Sequence, residues 1–152
     1  MDCDWCGLSE KDKKFLLYES RSWSVFLSDE QDLIGRCILV LKRHCSSLSE
    51  MTDDEWNELR LLICKLEACL KAVLGAALCN WSCLMNSFYK EAMPDPHLHI
   101  HLRPRYDKPV ILNENTYTDS EFGHHYALKK NGIISDKDRE EVFIRLKEWL
   151  DR

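Results

Sequence analysis

Long apolar runs are missing from this chain. No stretch approaches the roughly 18 to 20 apolar residues needed to span a bilayer, so no membrane association is expected. The opening residues Met1-Asp2-Cys3-Asp4 lack the basic-then-apolar order of a secretory signal. Basic runs are missing too. Against 26 Asp and Glu there are 21 Lys and Arg, a formal net charge of -5, with no Lys/Arg cluster to offset it. A nucleic-acid polymer or an acidic membrane surface is therefore not the expected partner, whereas a nucleotide needs only local positive charge. Without a secretory route the chain is expected in the reducing cytoplasm. Its eight cysteines then read as thiols or metal ligands rather than a disulfide frame. The 152 residues suffice for one domain, 1–152, with a real core but not two.

What is present is a concentration of histidine. Pro96-His97-Leu98-His99-Ile100-His101-Leu102-Arg103-Pro104-Arg105, taken as an extended strand, puts His97, His99 and His101 on one face. Leu98, Ile100 and Leu102 fall on the other, as an apolar ridge that can lock into a core. Neighbouring imidazoles are then roughly 6.6 Å apart, close enough for all three to border one phosphate. Three imidazoles on a half-buried face carry a desolvation cost unless they are partnered. Spacing leaves three readings open: an amphipathic strand with incidental histidines, a His-x-His metal site, or phosphate chemistry in which a neutral imidazole attacks phosphorus.

A second cluster is Cys3-Asp4-Trp5-Cys6-Gly7. On its own this Cys-x-x-Cys knuckle is equally compatible with a redox pair, half a zinc site or two buried thiols.

The pattern His97-x-His99-x-His101, followed after two residues by Pro104-Arg105, resembles the signature of the histidine-triad (HIT) family of nucleotide hydrolases and transferases. The segment Gly35-Arg36-Cys37-Ile38-Leu39-Val40-Leu41-Lys42-Arg43-His44 resembles that family's strand Gly-His-x-Leu-Val-Ile-Pro-Lys-Arg/Lys-His. The resemblance extends from Cys3 to Arg105. It implies that the middle histidine, His99, is a nucleophile forming a nucleotidyl-histidine intermediate, with His101 contacting phosphate and helping to fix the tautomer of His99. It also implies that Asn86, eleven positions before His97, donates its amide to the scissile phosphate. Asp29 is the nearest candidate for the ribose hydroxyls, an ordinary loop carboxylate being the equal alternative.

In zinc-bearing members, and in the related hexose-phosphate uridylyltransferases, such a cysteine pair, this strand-end histidine and the first triad histidine hold the metal. The resemblance therefore implies Cys3, Cys6, His44 and His97 as ligands. Two thiolates and two imidazoles with no open position form a structural zinc site, and no catalytic metal is required in principle. A homodimer is implied as well.

The approach to the triad departs from the family pattern. Met93-Pro94-Asp95-Pro96 has no glycine or serine, and two of its residues lack an amide donor. Beyond the triad, Arg103, Arg105 and Lys108 either steer an anion or solvate a strand end. In Phe122-Gly123-His124-His125-Tyr126 the adjacent histidines point to opposite sides of an extended chain and chelate poorly. A loop over the site or against a partner subunit is expected there.

Along the rest of the chain, Phe15–Tyr18 and Trp23–Leu27 read as two strands and Arg36–Lys42 as a third. Ser49–Leu74 reads as a helix with a Thr52/Glu55 capping box, a stripe of Trp56, Leu59, Ile63, Leu66, Leu70, Val73 and Leu74, and a stop at Gly75. Leu61, Leu62 and Cys69 widen that stripe and suggest a subunit contact. Leu78–Ser87 reads as a strand, Lys108–Asn131 as irregular, and Asp136–Leu150 as a helix capped by Ser135. The sum is an α+β, HIT-like fold: an antiparallel sheet of about five strands with one long helix and a C-terminal helix. The knuckle 3–6, the triad strand 97–103 and a C-terminal extension 106–152 are its parts. The implied activity is hydrolysis or transfer at the α-phosphate of purine nucleoside phosphoramidates or dinucleoside polyphosphates. The competing reading is a non-catalytic nucleotide-binding or scaffolding module.

Overall fold

The structure, a computed structural model, describes residues 3–125 and 134–152. Its centre is an antiparallel sheet of five strands: β1 (Leu16–Glu19), β2 (Trp23–Leu27), β3 (Cys37–Leu41), β4 (Leu78–Ser82) and β5 (His99–Arg105), in the spatial order β1-β2-β3-β5-β4. The triad strand β5 is thus interior, flanked by β3 and β4, and its backbone groups are paired on both sides. Helix α1 (Asp53–Leu74) crosses one face. Trp23, Val25, Leu27, Cys37, Leu39, Leu41, Leu98, Ile100 and Leu102 bury against it, as the strand period requires. Helix α2 (Asp136–Leu150) lies beside α1 and reaches β1.

Both helix boundaries follow from local chemistry. Thr52 accepts from the Glu55 amide while the Glu55 carboxylate accepts from the Thr52 amide, a reciprocal cap. Gly75 closes α1 in the left-handed region at φ 74°, which costs glycine little. Ser135 caps α2 by accepting from the Asp138 amide. Gly35 is the other constrained position: at φ 83°, a Cβ there would meet a Leu74 methyl at 2.7 Å and a Leu70 methyl at 2.9 Å. The turn into β3 therefore sits directly on the end of α1.

Several expectations need correction. Helix α1 begins at Asp53 rather than Ser49, which lies in a separate turn, Leu48–Glu50. Its buried stripe is Leu59, Leu62, Leu66, Cys69, Leu70 and Leu74, so Leu62 and Cys69 are core, while Leu61 is 57 % exposed and Trp56 also faces outward. The strand expected over Leu78–Ser87 ends at Ser82, and Asn86 opens a 3-10 turn, Asn86–Lys90.

The irregular region after residue 108 contains a hairpin, β6 (Val110–Leu112) with β7 (Asn115–Tyr117), turning through Asn113 at φ 51°. Tyr126 and the end of that region lie outside the described residues. Buried Asp138 of α2 ties the hairpin down, accepting from Asn113 at 2.8 Å, Asn115 at 2.6 Å, the Tyr117 hydroxyl and the Ser135 hydroxyl at 2.8 Å. Among the described residues, no helix is long and apolar enough to cross a membrane.

Candidate active site and metal centre

Residues directly paired across strands share a face. His99 pairs with Val40, and His101 pairs with Ile38 on one side and Ser82 on the other. The sheet face opposite α1 thus carries His99, His101 and Arg103, with Phe26 and Ile38 toward β2 and Ser82 and Asn80 toward β4.

The His99 ring is fixed in one tautomer. Its Nδ1 lies 2.9 Å from the carbonyl oxygen of His97, which can only accept, so Nδ1 carries the proton and Nε2 the lone pair. The tautomer is therefore set by backbone and not by His101, as the family resemblance implied. His101 stands edge-on to His99, with ring centroids 4.9 Å apart. Burial, reinforced by His99, Arg103 and Arg36 nearby, pushes the His101 pKa down to about 4, so this imidazole is neutral at physiological pH. Its Nδ1 is buried with no hydrogen-bond partner among the described residues.

His99 is only 6 % exposed. Its cover comes from outside the sheet: Trp5 of the knuckle stacks on it at 5.9 Å between centroids and 25° between planes, and Phe88 meets it at 5.8 Å. Trp5 also walls a cleft of about 700 Å³ with Phe15, Phe26, Leu27, Asp29 and Ile38. The lining mixes these apolar groups with charged ones, Asp4, Lys11, Asp12 and Lys14 besides Asp29, and the volume is within the usual ligand-pocket range. Asp29 stands with its side chain 90 % exposed, paired with Arg139 of α2. Asn86 is exposed, two residues before Phe88 in the turn that abuts His99.

Cys3, Cys6, His44 and His97 converge, with their ligand atoms all within 4.8 Å of one another. His97 Nδ1 lies 3.2 Å from the Cys3 sulfur and 3.5 Å from the Cys6 sulfur, and His44 Nδ1 lies 3.4 Å from Cys6. Tetrahedral zinc with ordinary Zn–S and Zn–N bonds separates sulfur and nitrogen ligands by about 3.6 Å. The far nitrogens are already engaged: His97 Nε2 is 2.6 Å from the Leu41 carbonyl and His44 Nε2 is 3.1 Å from Asp95. Each Nε2 donates to an oxygen, so each Nδ1 turns a lone pair toward the thiols, the tautomer that a metal-bound histidine needs. The four side chains fit a structural metal ion.

The arginines beyond the triad are buried, not solvated. Arg105 is held by the Asp119 carboxylate at 2.6 and 3.1 Å, by the His124 carbonyl at 3.0 Å and by the Glu121 carbonyl, and this wraps residues 119–124 around the end of β5. Arg103 donates to the Ser82 hydroxyl at 3.3 Å, whereas Lys108 is exposed.

Sequence reasoning gave no role to Trp5, Phe88 or Asp95. Trp5 sits inside the quoted knuckle and Asp95 two residues before a ligand, but their contacts with His99 and His44 span long sequence separations that no local pattern reveals.

No protein-family model and no curated protein matches the sequence. Solved structures do. A hypothetical histidine triad nucleotide-binding protein from Sulfolobus tokodaii superposes with a TM-score of 0.67 at 17% identity, covering 98% of this chain and 92% of its own. A zinc-bound histidine triad family protein from Mycobacterium smegmatis gives 0.64 at 16% identity, covering 98% and 93%. A histidine triad protein from Bradyrhizobium japonicum gives 0.65 at 13% identity, covering 95% and 97%. At such identities the likeness is one of fold.

Proposed function

We propose that this chain, which has the histidine-triad fold, is a nucleotide hydrolase or nucleotidyltransferase of that family, with His99 as nucleophile. The observation that carries the proposal is the His99 ring, held with Nδ1 donating to the His97 carbonyl and stacked on Trp5, the residue that walls a ligand-sized cleft on its other side. A lone pair on Nε2 is the species that attacks phosphorus.

In the first step Nε2 bonds to the α-phosphorus of a purine nucleotide and the bond to the leaving group breaks, its electron pair departing with that group. Water then attacks the same phosphorus, the Nε2–P bond breaks with its electron pair returning to Nε2, one proton of the water passes to solvent or to the departed group, and a nucleoside monophosphate is released with the neutral imidazole restored. Asn86 and His101 are the proposed stabilisers of charge on the phosphoryl oxygens. Neutral His101 serves as a hydrogen-bond donor, its buried Nδ1 having no hydrogen-bond partner among the described residues. Phe26 and Ile38 receive the base, with Trp5 as its wall, and Asp29 receives the ribose. Trp5 and Phe88 cover His99, so phosphate entry requires one of these rings to give way.

Cys3, Cys6, His44 and His97 are the proposed zinc ligands. The ion would pin the knuckle that carries Trp5 and the start of the triad strand, supplying structure and no step of the reaction. We further propose a cytoplasmic homodimer. Leu61, Cys64, Ala68 and Ala72 form an exposed stripe of small and apolar residues along α1, as a helix–helix contact between subunits requires. Light scattering on the purified chain tests it.

The test of the chemistry is intact mass after acid-free quenching with a panel of nucleotides. A nucleotidyl adduct in the native chain, absent from His99→Ala, is the expected result; turnover by His99→Ala at the parental rate removes the proposal. The near-complete cover of His99 favours a second reading, a nucleotide-binding module without efficient chemistry. Calorimetric binding of adenosine monophosphate with no turnover of a fluorogenic phosphoramidate would select it.

A further inference from the structure

Among the described residues, helix α2 contributes nothing to the wall of the cleft beside Trp5, yet three of its side chains hold residues that do. Arg139 pairs with the Asp29 carboxylate, Glu140 lies 3.8 Å from the Lys14 ammonium, and Phe143 meets the Phe15 ring edge-on at 5.6 Å between centroids. Asp29, Lys14 and Phe15 all line the cleft. The C-terminal helix, whose Arg139 is 110 positions from Asp29 in sequence, therefore braces one side of it.

Of the three braces Arg139 is the most confined. Its side chain is 16 % exposed, its guanidinium carbon lies 4.1 Å over the Phe15 ring, and its Nε is buried with no hydrogen-bond partner among the described residues. A flat cation resting on an aromatic face keeps its plane. Asp29 is the opposite case. It lies on the loop between β2 and β3, and an exposed carboxylate on a loop turns freely unless something holds it. An ion pair open to water on one side adds little to stability, so its consequence is orientation. Arg139 engages Oδ1 of Asp29, and a carboxylate accepts through both oxygens, so Oδ2 keeps its capacity for a hydroxyl.

We infer that Arg139 is a positioning residue for nucleoside recognition: it fixes the Asp29 carboxylate beside Phe15 so that the second oxygen accepts from the sugar diol, and α2 thereby takes part in telling a ribonucleotide from a deoxy counterpart. This rests on the proposed function, in which Asp29 receives the ribose, and adds to it a residue that touches no substrate. A carboxylate already held loses less freedom on binding than a mobile one, and a site built to bond a hydroxyl rejects the analogue lacking it.

The experiment compares adenosine monophosphate with its 2′,3′-dideoxy analogue by calorimetry on the zinc-loaded full chain. The native protein is expected to prefer the ribonucleotide by about tenfold, the amount that one hydrogen bond to a charged group supplies. In Arg139→Met the preference is expected to fall below about threefold, while the melting temperature and the affinity for the dideoxy compound hold. A purely structural role would weaken both compounds together and leave their ratio at the native value, which overturns the inference. Asp29→Ala, a change at an exposed side chain, should erase the preference with Arg139 still in place. A preference that survives Asp29→Ala overturns the inference even if Arg139→Met does not fold. Failure of both compounds to bind the native chain removes the nucleotide reading and this inference with it, whereas equal binding of the two overturns this inference alone and leaves the His99 chemistry standing.

Discussion

His99 donates from Nδ1 to the carbonyl oxygen of His97, 2.9 Å away, while the side chain of that same His97 turns its own Nδ1 toward Cys3 and Cys6. One residue thus joins the proposed metal centre to the proposed nucleophile, its ring facing the thiols and its backbone carbonyl accepting from Nδ1 of His99. The proposed metal site and the proposed chemistry share a single peptide unit.

That coupling gives the first expectation. Protein purified without chelator should carry about one zinc per chain by plasma mass spectrometry. Stripping the metal should lower the melting temperature and also reduce turnover, because the knuckle and the start of β5 loosen together. Loss of zinc with both thermal stability and turnover unchanged would contradict the arrangement.

Asp95 should matter for the metal although it is not a ligand. It accepts from His44 Nε2 at 3.1 Å and holds the ring so that Nδ1 faces Cys6. Groups in this position typically contribute 10- to 100-fold to metal affinity, so Asp95→Ala should weaken zinc binding by about that factor in a chelator competition.

The histidine row has a pH signature. Burial lowers the His101 pKa to about 4, below its unfolded value, so the unfolded chain takes up this proton first. The contribution is present above the unfolded value near 6.5 and is lost as pH falls from there toward about 4, with a total on the order of 2 kcal/mol. His101→Gln should flatten that part of the stability curve. In NMR titration the native ring should change state only near pH 4.

A fourth expectation concerns the anchor behind His44. Arg43 holds Glu55 through two contacts of 2.9 Å, and Glu55 also completes the α1 capping box. The Arg43 guanidinium, outweighing the burial, draws the Glu55 pKa down to about 2. Glu55→Gln should destabilise the fold by about 1–3 kcal/mol at neutral pH, measured by urea denaturation. The carboxylate's share should vanish as pH drops from the usual carboxylate range through about 2.

The parts of this fold governed by local rules were legible in the sequence. The alternation of Leu98, Ile100 and Leu102 against the histidines, the Thr52/Glu55 box and the Gly75 stop each follow from a period or a terminus that a short window contains. The end of β4 was not. Cys83, Leu84 and Met85 continue a plausible strand, but pairing with β5 stops at Ser82 opposite His101, while β5 itself runs on to His99 and pairs there with β3 alone. The β6–β7 hairpin escaped notice because its strands have three residues each, too few to show a period, although Asn113 at the turn was a usable signal. Among the candidate site residues, Cys3, Cys6, His44 and His97 do converge, and His99 and His101 do share a face. The burial of Arg105 depends on the wrap of residues 119–124, which no nearby sequence feature announces.

Asp138 receives four side-chain donors from three separate stretches of chain: the hairpin turn, strand β7 and the cap of its own helix. A carboxylate used in this way makes the tail a clasp rather than an appendage. Shortening the protein from its C-terminal end would not peel away one helix and leave the rest; it would release the hairpin in the same event, so partial digestion should yield either intact chain or fragments lacking both.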